Sequence, residues 1–365
     1  MNKQRVLIGM SGGVDSSVAA YILKEQGYEV IGVTMQIWPD LPGHVREREG
    51  GCCSLSAVDD ARRVANHIGI PFYVMNFKEV FQDKVIDYFI DEYVKGRTPN
   101  PCIACNRYIK FDRFLKKALD LDAFYIATGH YADITYNDQS QRYILKKSVA
   151  TGKDQTYALY SMTQYQLEHT LFPLGKYTKE EVRDLAKKIG LTVANKPDSQ
   201  EICFVDDNDY GKFIEQQLGQ QINPGNFVDT QGNILGKHKG IIHYTIGQRK
   251  GLGIALGKPM YVVSIDAEKN LVVLGDHHEV FSKEMIVERL NFISIPALIE
   301  PIRAKVKIRY TASEVPATLY PLENNKIKVS FDEPQRAITP GQAAVFYEDD
   351  YVLGGGIIEH SLNSN

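Results

Sequence analysis

The sequence contains no apolar run near the roughly 20 residues that a membrane-spanning helix needs. Its opening, MNKQRVLIGM, enters a strand-like run at once, with neither a secretory apolar region nor an Arg- and Ser-rich presequence. The expectation is a cytoplasmic protein with no membrane association. Charge of one sign is also missing. The 42 Lys and Arg against 45 Asp and Glu give a net charge of -3, so a generally basic nucleic-acid binder is excluded. Any nucleic-acid contact has to come from local patches. Cysteine is scarce: five residues in 365 do not build a disulfide scaffold. Their placement is uneven. Cys52 and Cys53 are adjacent, Cys102 and Cys105 form a C-x-x-C, and Cys203 stands alone. That clustering points to thiol chemistry or a metal site, the plain alternative being buried thiols packed as small hydrophobes.

What is present is an alternation. RVLIGM, YEVIGVTMQIW, IPFYVMNF and AFYIATGH read as strands. Between them SLSAVDDARRVANHIG, KEVFQDKVIDYFIDEYVKG and IKFDRFLKKALDLD read as helices. Strand and helix alternating through short connections predict a doubly wound parallel sheet, with ligands beyond the carboxyl ends of the strands. TYALYSMTQYQLEHTL reads as a further helical section. TKEEVRDLAKKIGL follows as another, opened by the capping box of Thr178 and Glu181. Near Asp206 the chain becomes rich in glycine and turns, and from about Phe281 short alternating strands dominate, the pattern of a small antiparallel barrel. A chain of this length exceeds one ordinary core. The expected organisation is an α/β domain over 1–207, a small linker domain over 208–280 and a β-barrel over 281–365.

Between the first strand and the first helix stands S-G-G-V-D-S-S, Ser11 to Ser17. It is neither a Walker A sequence nor G-x-G-x-x-G. Its glycines let the backbone approach an anion, and the N–H groups of a helix start supply positive potential. Ser11, Ser16 and Ser17 add hydroxyls, and Asp15 is a candidate to hold Mg²⁺ beside phosphates. The string resembles the PP-loop of the ATP pyrophosphatases, which cleave ATP between the α and β phosphates, adenylate a carbonyl oxygen and release pyrophosphate. The resemblance implies a phosphate cradle.

Further segments, GVTMQIW, GRTPNPCIACNRYIKF, ATGHYA, GKDQTYAL, DSQEICF, HYTIGQRKGLGI, VKIRYTA and PGQAAVFY, resemble the tRNA-specific 2-thiouridylases along nearly the whole chain. That family replaces O2 of the wobble uridine, position 34, by sulfur in the tRNAs for Lys, Glu and Gln. The resemblance implies ATP and Mg²⁺ as cofactors, with Gly9, Met10, Ser11, Gly12, Gly13, Val14, Asp15 and Ser16 around the phosphates and Met35 and Gly129 near adenine and ribose. It implies a persulfide on Cys203 and a partner nucleophile at Cys105. Arg107 and Lys110 are candidates to activate the thiolates. A cysteine desulfurase or sulfur carrier is the implied sulfur donor. Asn100, Pro101 and Cys102 are expected to wrap a flipped-out uridine, and His130, Lys153, Asp154, Gln155, Arg309, Tyr310 and Gln342 to contact the anticodon arm.

One position departs from the family. A large branch has Asp where this chain has Cys102, so two readings stand open. Cys102 is an accessory thiol beside a Cys105/Cys203 persulfide pair, or the three cysteines hold a [4Fe–4S] cluster whose fourth iron takes up sulfide. Cys52 and Cys53 are read as structural. In RAKVKIRY strict alternation sets Arg303, Lys305, Lys307 and Arg309 on one strand face. That face is either a solvated barrel side or a phosphate-tracking stripe. Two rival functions remain: a PP-loop ligase that adenylates a small molecule, and an RNA-binding module that no longer turns over.

Overall fold

A computed structural model describes residues 4–37, 55–197, 202–205, 209–219 and 222–362; Cys52 and Cys53 lie outside them. β1 (Arg5–Gly9), β2 (Glu29–Gln36), β3 (Phe72–Asn76) and β4 (Tyr125–Ala127) are parallel, joined by α1 (Val14–Glu25), α2 (Leu55–Ile68), α3 (78–94) and α4 (101–119). The sheet order is β3-β2-β1-β4, with a two-residue edge strand, Thr170–Leu171, beyond β4. The chain runs outward from β1 to β3 and then returns to the other side of β1. The crevice between the ends of β1 and β4 is therefore the switch point where such sheets bind ligands.

Three readings change. The α4 helix starts at Pro101 rather than near Ile109, because Asn100 caps it and proline at the first position has no N–H to lose. The helical section over 156–171 holds two short helices, α5 (Thr156–Leu159) and α6 (Gln164–Glu168). Thr163 and Gln166 form a reciprocal capping box that restarts the chain. It then ends in the edge strand β7 (Thr170–Leu171), which pairs with β4. The hairpin β5 (Ala132–Asn137) and β6 (Arg142–Lys147) was not anticipated either. The expected helix over TKEEVRDLAKKIGL is present as α7 (Lys179–Lys188), with Thr178 and Glu181 making the predicted box.

After α8 (Tyr210–Leu218), β8 (Gly225–Val228), β9 (Ile234–His238), β10 (Tyr261–Asp266) and β11 (Leu271–Gly275) form a small sheet ordered β10-β11-β8-β9. The last unit comprises β12 (Phe281–Phe292), β13 (Ile302–Lys307), β14 (Val315–Leu322), β15 (Lys326–Arg336), β16 (Ala343–Glu348) and β17 (Tyr351–Leu362). β12 pairs with both β15 and β17, so these six strands close into a barrel. The β5–β6 hairpin continues this sheet through β6 against β17.

One core runs from Leu7, Phe89 and Phe111 through Phe204 to Phe227 and Val262, so the first and middle units share apolar packing. Burial of that kind contributes about 25 cal/mol per Å², and it fixes the middle unit against α3, where Tyr93 stacks on Tyr210. A separate cluster including Met285, Val329 and Phe346 fills the barrel. No helix among the described residues is long and apolar enough to cross a membrane.

Candidate active site

The glycine turn follows directly from β1. Met10 N–H donates to Val33 O at 2.8 Å and Thr34 Oγ1 donates to Met10 O at 2.7 Å, holding the chain to β2 for one more residue. The backbone then turns at Gly12, where φ is +68° and a Cβ would lie 2.3 Å from Ala57 O. Only glycine fits both demands. Ser16 Oγ accepts from Ser11 N–H at 3.2 Å, and Ser17 Oγ donates to Gly13 O at 2.7 Å, closing the loop over the first turn of α1. The result is a short ring of backbone at a helix N-terminus, a geometry suited to phosphate oxygens.

The expected neighbours are brought to it. A Cβ at Gly129, just beyond β4, would stand 2.6 Å from Ser16 N and 2.8 Å from the carbonyl carbon of Asp15. The strand end therefore packs directly on the loop. A Cβ at Gly9 would lie 2.9 Å from Met35 Cε. The ends of β1, β2 and β4 thus bring Gly9, Met35, Gly129 and the Asp15–Ser16 backbone together.

Two lysines that the sequence reading passed over flank the loop. Lys179, the first residue of α7 and only 8% exposed, places Nζ 2.7 and 2.8 Å from the two Asp15 carboxylate oxygens. Tyr131 Oη donates to Asp15 Oδ1 at 2.8 Å. A cation in a helix's first turn opposes the macrodipole, so this position is held by Asp15 rather than by its own helix. The visible signal was a lysine directly after the Thr178 cap, where Asp or Glu is the usual choice. Lys196 Nζ donates to Gly12 O at 3.1 Å and to Asp60 Oδ2 at 2.7 Å. Burial opposes the Asp60 charge, but hydrogen bonds from Lys196 and Arg63 outweigh it and hold the carboxyl below the usual range. With both oxygens given to Lys179, Asp15 suits a counter-ion. It does not suit a Mg²⁺ ligand unless that pair opens.

Cys102 and Cys105 lie in the first turns of α4, three residues apart and so on one helix face. Asn100 is not part of a loose loop: its Oδ1 accepts from Cys102 N–H at 3.1 Å and Ile103 N–H at 3.2 Å. Cys102 is exposed, whereas Cys105 and Cys203 are half-buried and pack against the same core cluster. Beside Cys203, Phe204 is wedged among Phe81, Phe89 and Phe213, with ring centroids 5.3–5.8 Å away. Among the described residues no three His, Cys, Asp or Glu side chains are gathered as metal ligands, and Cys102, Cys105 and Cys203 make no such trio.

The remaining expected contacts divide. Cys102, Lys153 and Asp154 all lie near enough to act on the Tyr310 phenol, which burial first of all pushes upward. These three segments therefore meet at one place. Lys307 sits over the Tyr157 and Tyr310 rings at 5.8 and 5.6 Å. Gln155 accepts from Tyr131 N–H at 2.8 Å, and Asp154 from Thr156 Oγ1 at 2.6 Å. His130 is bound to Thr128 Oγ1 at 2.7 Å, and burial, aided by Lys110, holds its ring well below the ordinary histidine range. Lys110 thus acts on His130, while Arg107 lies over Tyr108 at 5.4 Å.

The four-residue basic stripe does not survive intact. Arg303 is forked onto Asp332 at 2.7 and 2.6 Å. β13 ends at Lys307, and Arg309, beyond it, donates to Arg336 O at 2.9 Å. Alternation predicted the face correctly but not the acid on β15 that neutralises it. Gln342 Nε2 donates to Thr98 O at 2.9 Å and Pro99 O at 3.3 Å, toward the protein rather than outward.

Three family models match consecutive stretches of the chain: a tRNA methyl transferase HUP domain over residues 4–207, a tRNA methyl transferase PRC-barrel domain over 211–276 and an aminomethyltransferase β-barrel domain over 282–358. The tRNA-specific 2-thiouridylase MnmA of Acetivibrio thermocellus is 68% identical over 98% of this chain and 100% of its own length. The tRNA-specific 2-thiouridylase MnmA 2 of Caldanaerobacter subterraneus subsp. tengcongensis is 67% identical over 98% of both chains. The chain belongs to the tRNA-specific 2-thiouridylases. The chain is accordingly a tRNA-uridine 2-sulfurtransferase. A solved NMN synthetase from Francisella tularensis covers 61% of this chain and 80% of its own at 14% identity, with a TM-score of 0.35.

Proposed function

We propose that this 2-thiouridylase uses ATP to replace O2 of the wobble uridine, position 34, of tRNA-Lys, tRNA-Glu and tRNA-Gln by sulfur carried as a persulfide on Cys203. The observation that carries the reading is the close packing of Gly9 on Met35 and of Gly129 on the Asp15–Ser16 backbone, with Cys105 and Cys203 packed on one common core. The chemistry needs both halves. A pyrimidine C2 carbonyl is a weak electrophile, and oxide cannot leave.

In the proposed sequence uridine O2 attacks the α-phosphorus of ATP, the α–β bridging bond breaks, and pyrophosphate departs into the loop. The terminal sulfur of the Cys203 persulfide then attacks C2, and AMP leaves with the original oxygen. Cys105 thiolate attacks the Cys203 sulfur, breaking the S–S bond to the substrate. The product is 2-thiouridine and a Cys105–Cys203 disulfide, which a thiol reductant returns to two thiols by supplying two electrons. The sulfur comes from a cysteine desulfurase or sulfur carrier. Mg²⁺ with ATP would neutralise charge on the phosphates, with Lys179 and Lys196 adding fixed cations at the loop. The absence of a ligand trio at the cysteines supports the persulfide over the cluster reading.

A substrate-binding face over Cys102, Lys153, Lys307 and Tyr310 combines cations and rings, as single-stranded RNA recognition requires. The experiment is pyrophosphate release with and without tRNA. Release should rise by about tenfold or more with an anticodon arm carrying U34, because the arm supplies the attacking oxygen. Release indifferent to tRNA supports the small-molecule ligase instead, and tight tRNA binding without release supports the inactive binding module.

A further inference from the structure

The segment just before the cysteine helix is held on all sides by the barrel. Thr98 N–H donates to Pro340 O at 2.8 Å, and Gln342 Nε2 donates to Thr98 O and Pro99 O. Gly341 adopts φ +90°, and a Cβ there would lie 2.9–3.0 Å from the Thr98 backbone. The turn is itself tied to β17, through Gly341 N–H to Ile358 O and Ile358 N–H to Gln342 O at 2.9 and 2.8 Å. Arg97 completes the attachment. Its Nε donates to Glu92 at 2.8 Å, and its Nη2 reaches Glu288 of β12 and Ile358 O, both at 3.4 Å. Glu92 is 4% exposed, so this pair is screened from water. Three residues after Arg97, Asn100 caps the helix that presents Cys102 and Cys105.

We propose that Gln342 is a positioning residue for sulfur transfer: its amide, with the Gly341 turn, fixes residues 97–99 and thereby the placement of Cys102 and Cys105. On this reading the barrel is more than an RNA platform. It is the outer jaw that sets the sulfur-handling helix, and the amide that family resemblance assigns to tRNA contact is used on the protein's own backbone. The barrel side of the clamp is also linked to the middle unit, since Arg336 donates to Gly247 O at 2.9 Å while its own carbonyl accepts from Arg309. Truncating the amide leaves two carbonyls without their donor and lets the lead-in shift. A shift of about 1 Å at a reacting group lowers rates by about a hundredfold.

The proposal rests on the thiolation reading, so its test carries one arm that needs no turnover. Gln342→Ala and the near-isosteric Gln342→Glu are compared with the wild-type chain using a U34 anticodon-arm RNA. The expected result is RNA affinity and pyrophosphate release within about twofold of wild type, with single-turnover sulfur transfer at saturating RNA lowered by about tenfold to a hundredfold. In the second arm, hydrogen exchange without RNA or ATP should speed up in peptides covering 97–105 and not in those covering 179–188. A fivefold weaker RNA affinity with normal transfer at saturation would return Gln342 to tRNA contact and overturn the proposal. So would wild-type transfer, unaltered exchange over 97–105, or a uniform loss of every activity with a lowered Tm. Altered exchange in a chain whose wild type never thiolates would instead locate the failure in the functional reading.

Discussion

Cys203→Ser should lower thiolation of a U34 tRNA by at least about a thousandfold while tRNA-dependent pyrophosphate release stays within about threefold. The expected size follows from the chemistry, because a serine oxygen cannot carry a persulfide and no other group supplies the terminal sulfur. The expected selectivity follows from location. Cys203 packs beside Phe204 on one core cluster, whereas Met10 and Val14 of the glycine turn belong to another, and serine is close to cysteine in volume. A half-buried thiol exchanged for a hydroxyl costs about 1 kcal/mol of stability, too little to unfold a domain. The products are separated by chromatography and mass spectrometry of the digested tRNA, with pyrophosphate counted in parallel. Joint loss of both activities, or of folding, would make Cys203 a packing residue and end the persulfide account.

Lys179→Met should lower kcat/KM for pyrophosphate release by about a hundredfold to a thousandfold, the usual cost of removing one preorganised cationic donor from a developing negative charge. The geometry states why. Lys179 is nearly enclosed, sits against its helix dipole, and is kept there by both oxygens of an aspartate inside the phosphate-type loop. A purely structural pair makes a different forecast. Removing the lysine alone would leave Asp15 with an uncompensated charge, and Lys179→Met combined with Asp15→Asn would relieve it. The double variant is therefore decisive: it should recover Tm yet leave pyrophosphate release at the level of Lys179→Met. Recovery of both would assign the pair to folding alone.

Much of this arrangement was legible in the chain. S-G-G-V-D-S-S between an apolar run and a helix located the loop, because the positive φ that Gly12 adopts is a local demand. The parallel sheet followed from the alternation, and the barrel from short alternating strands with turns. The missed elements share a cause: their partners lie far away in sequence. Thr170–Leu171 is two residues long and exists as a strand only because β4 offers an edge, and β5–β6 is stabilised by β17. The Asp332 that neutralises Arg303 and the Thr98 and Pro99 carbonyls that take up Gln342 are likewise remote. Pattern reading places such side chains on a face and cannot show what occupies it. The start of α4 at Pro101 was missed for a more local reason, since the helical pattern was followed only from Ile109 although Asn-Pro is itself a strong helix start.

The account depends on the uridine oxygen itself attacking ATP before sulfur arrives. A U34 tRNA labelled with ¹⁸O at the uridine C2 carbonyl tests that step in one turnover. The label should leave the base and appear in AMP, one atom for each 2-thiouridine formed. Thiolated product formed with unlabelled AMP, or with the label in pyrophosphate or water, would contradict it.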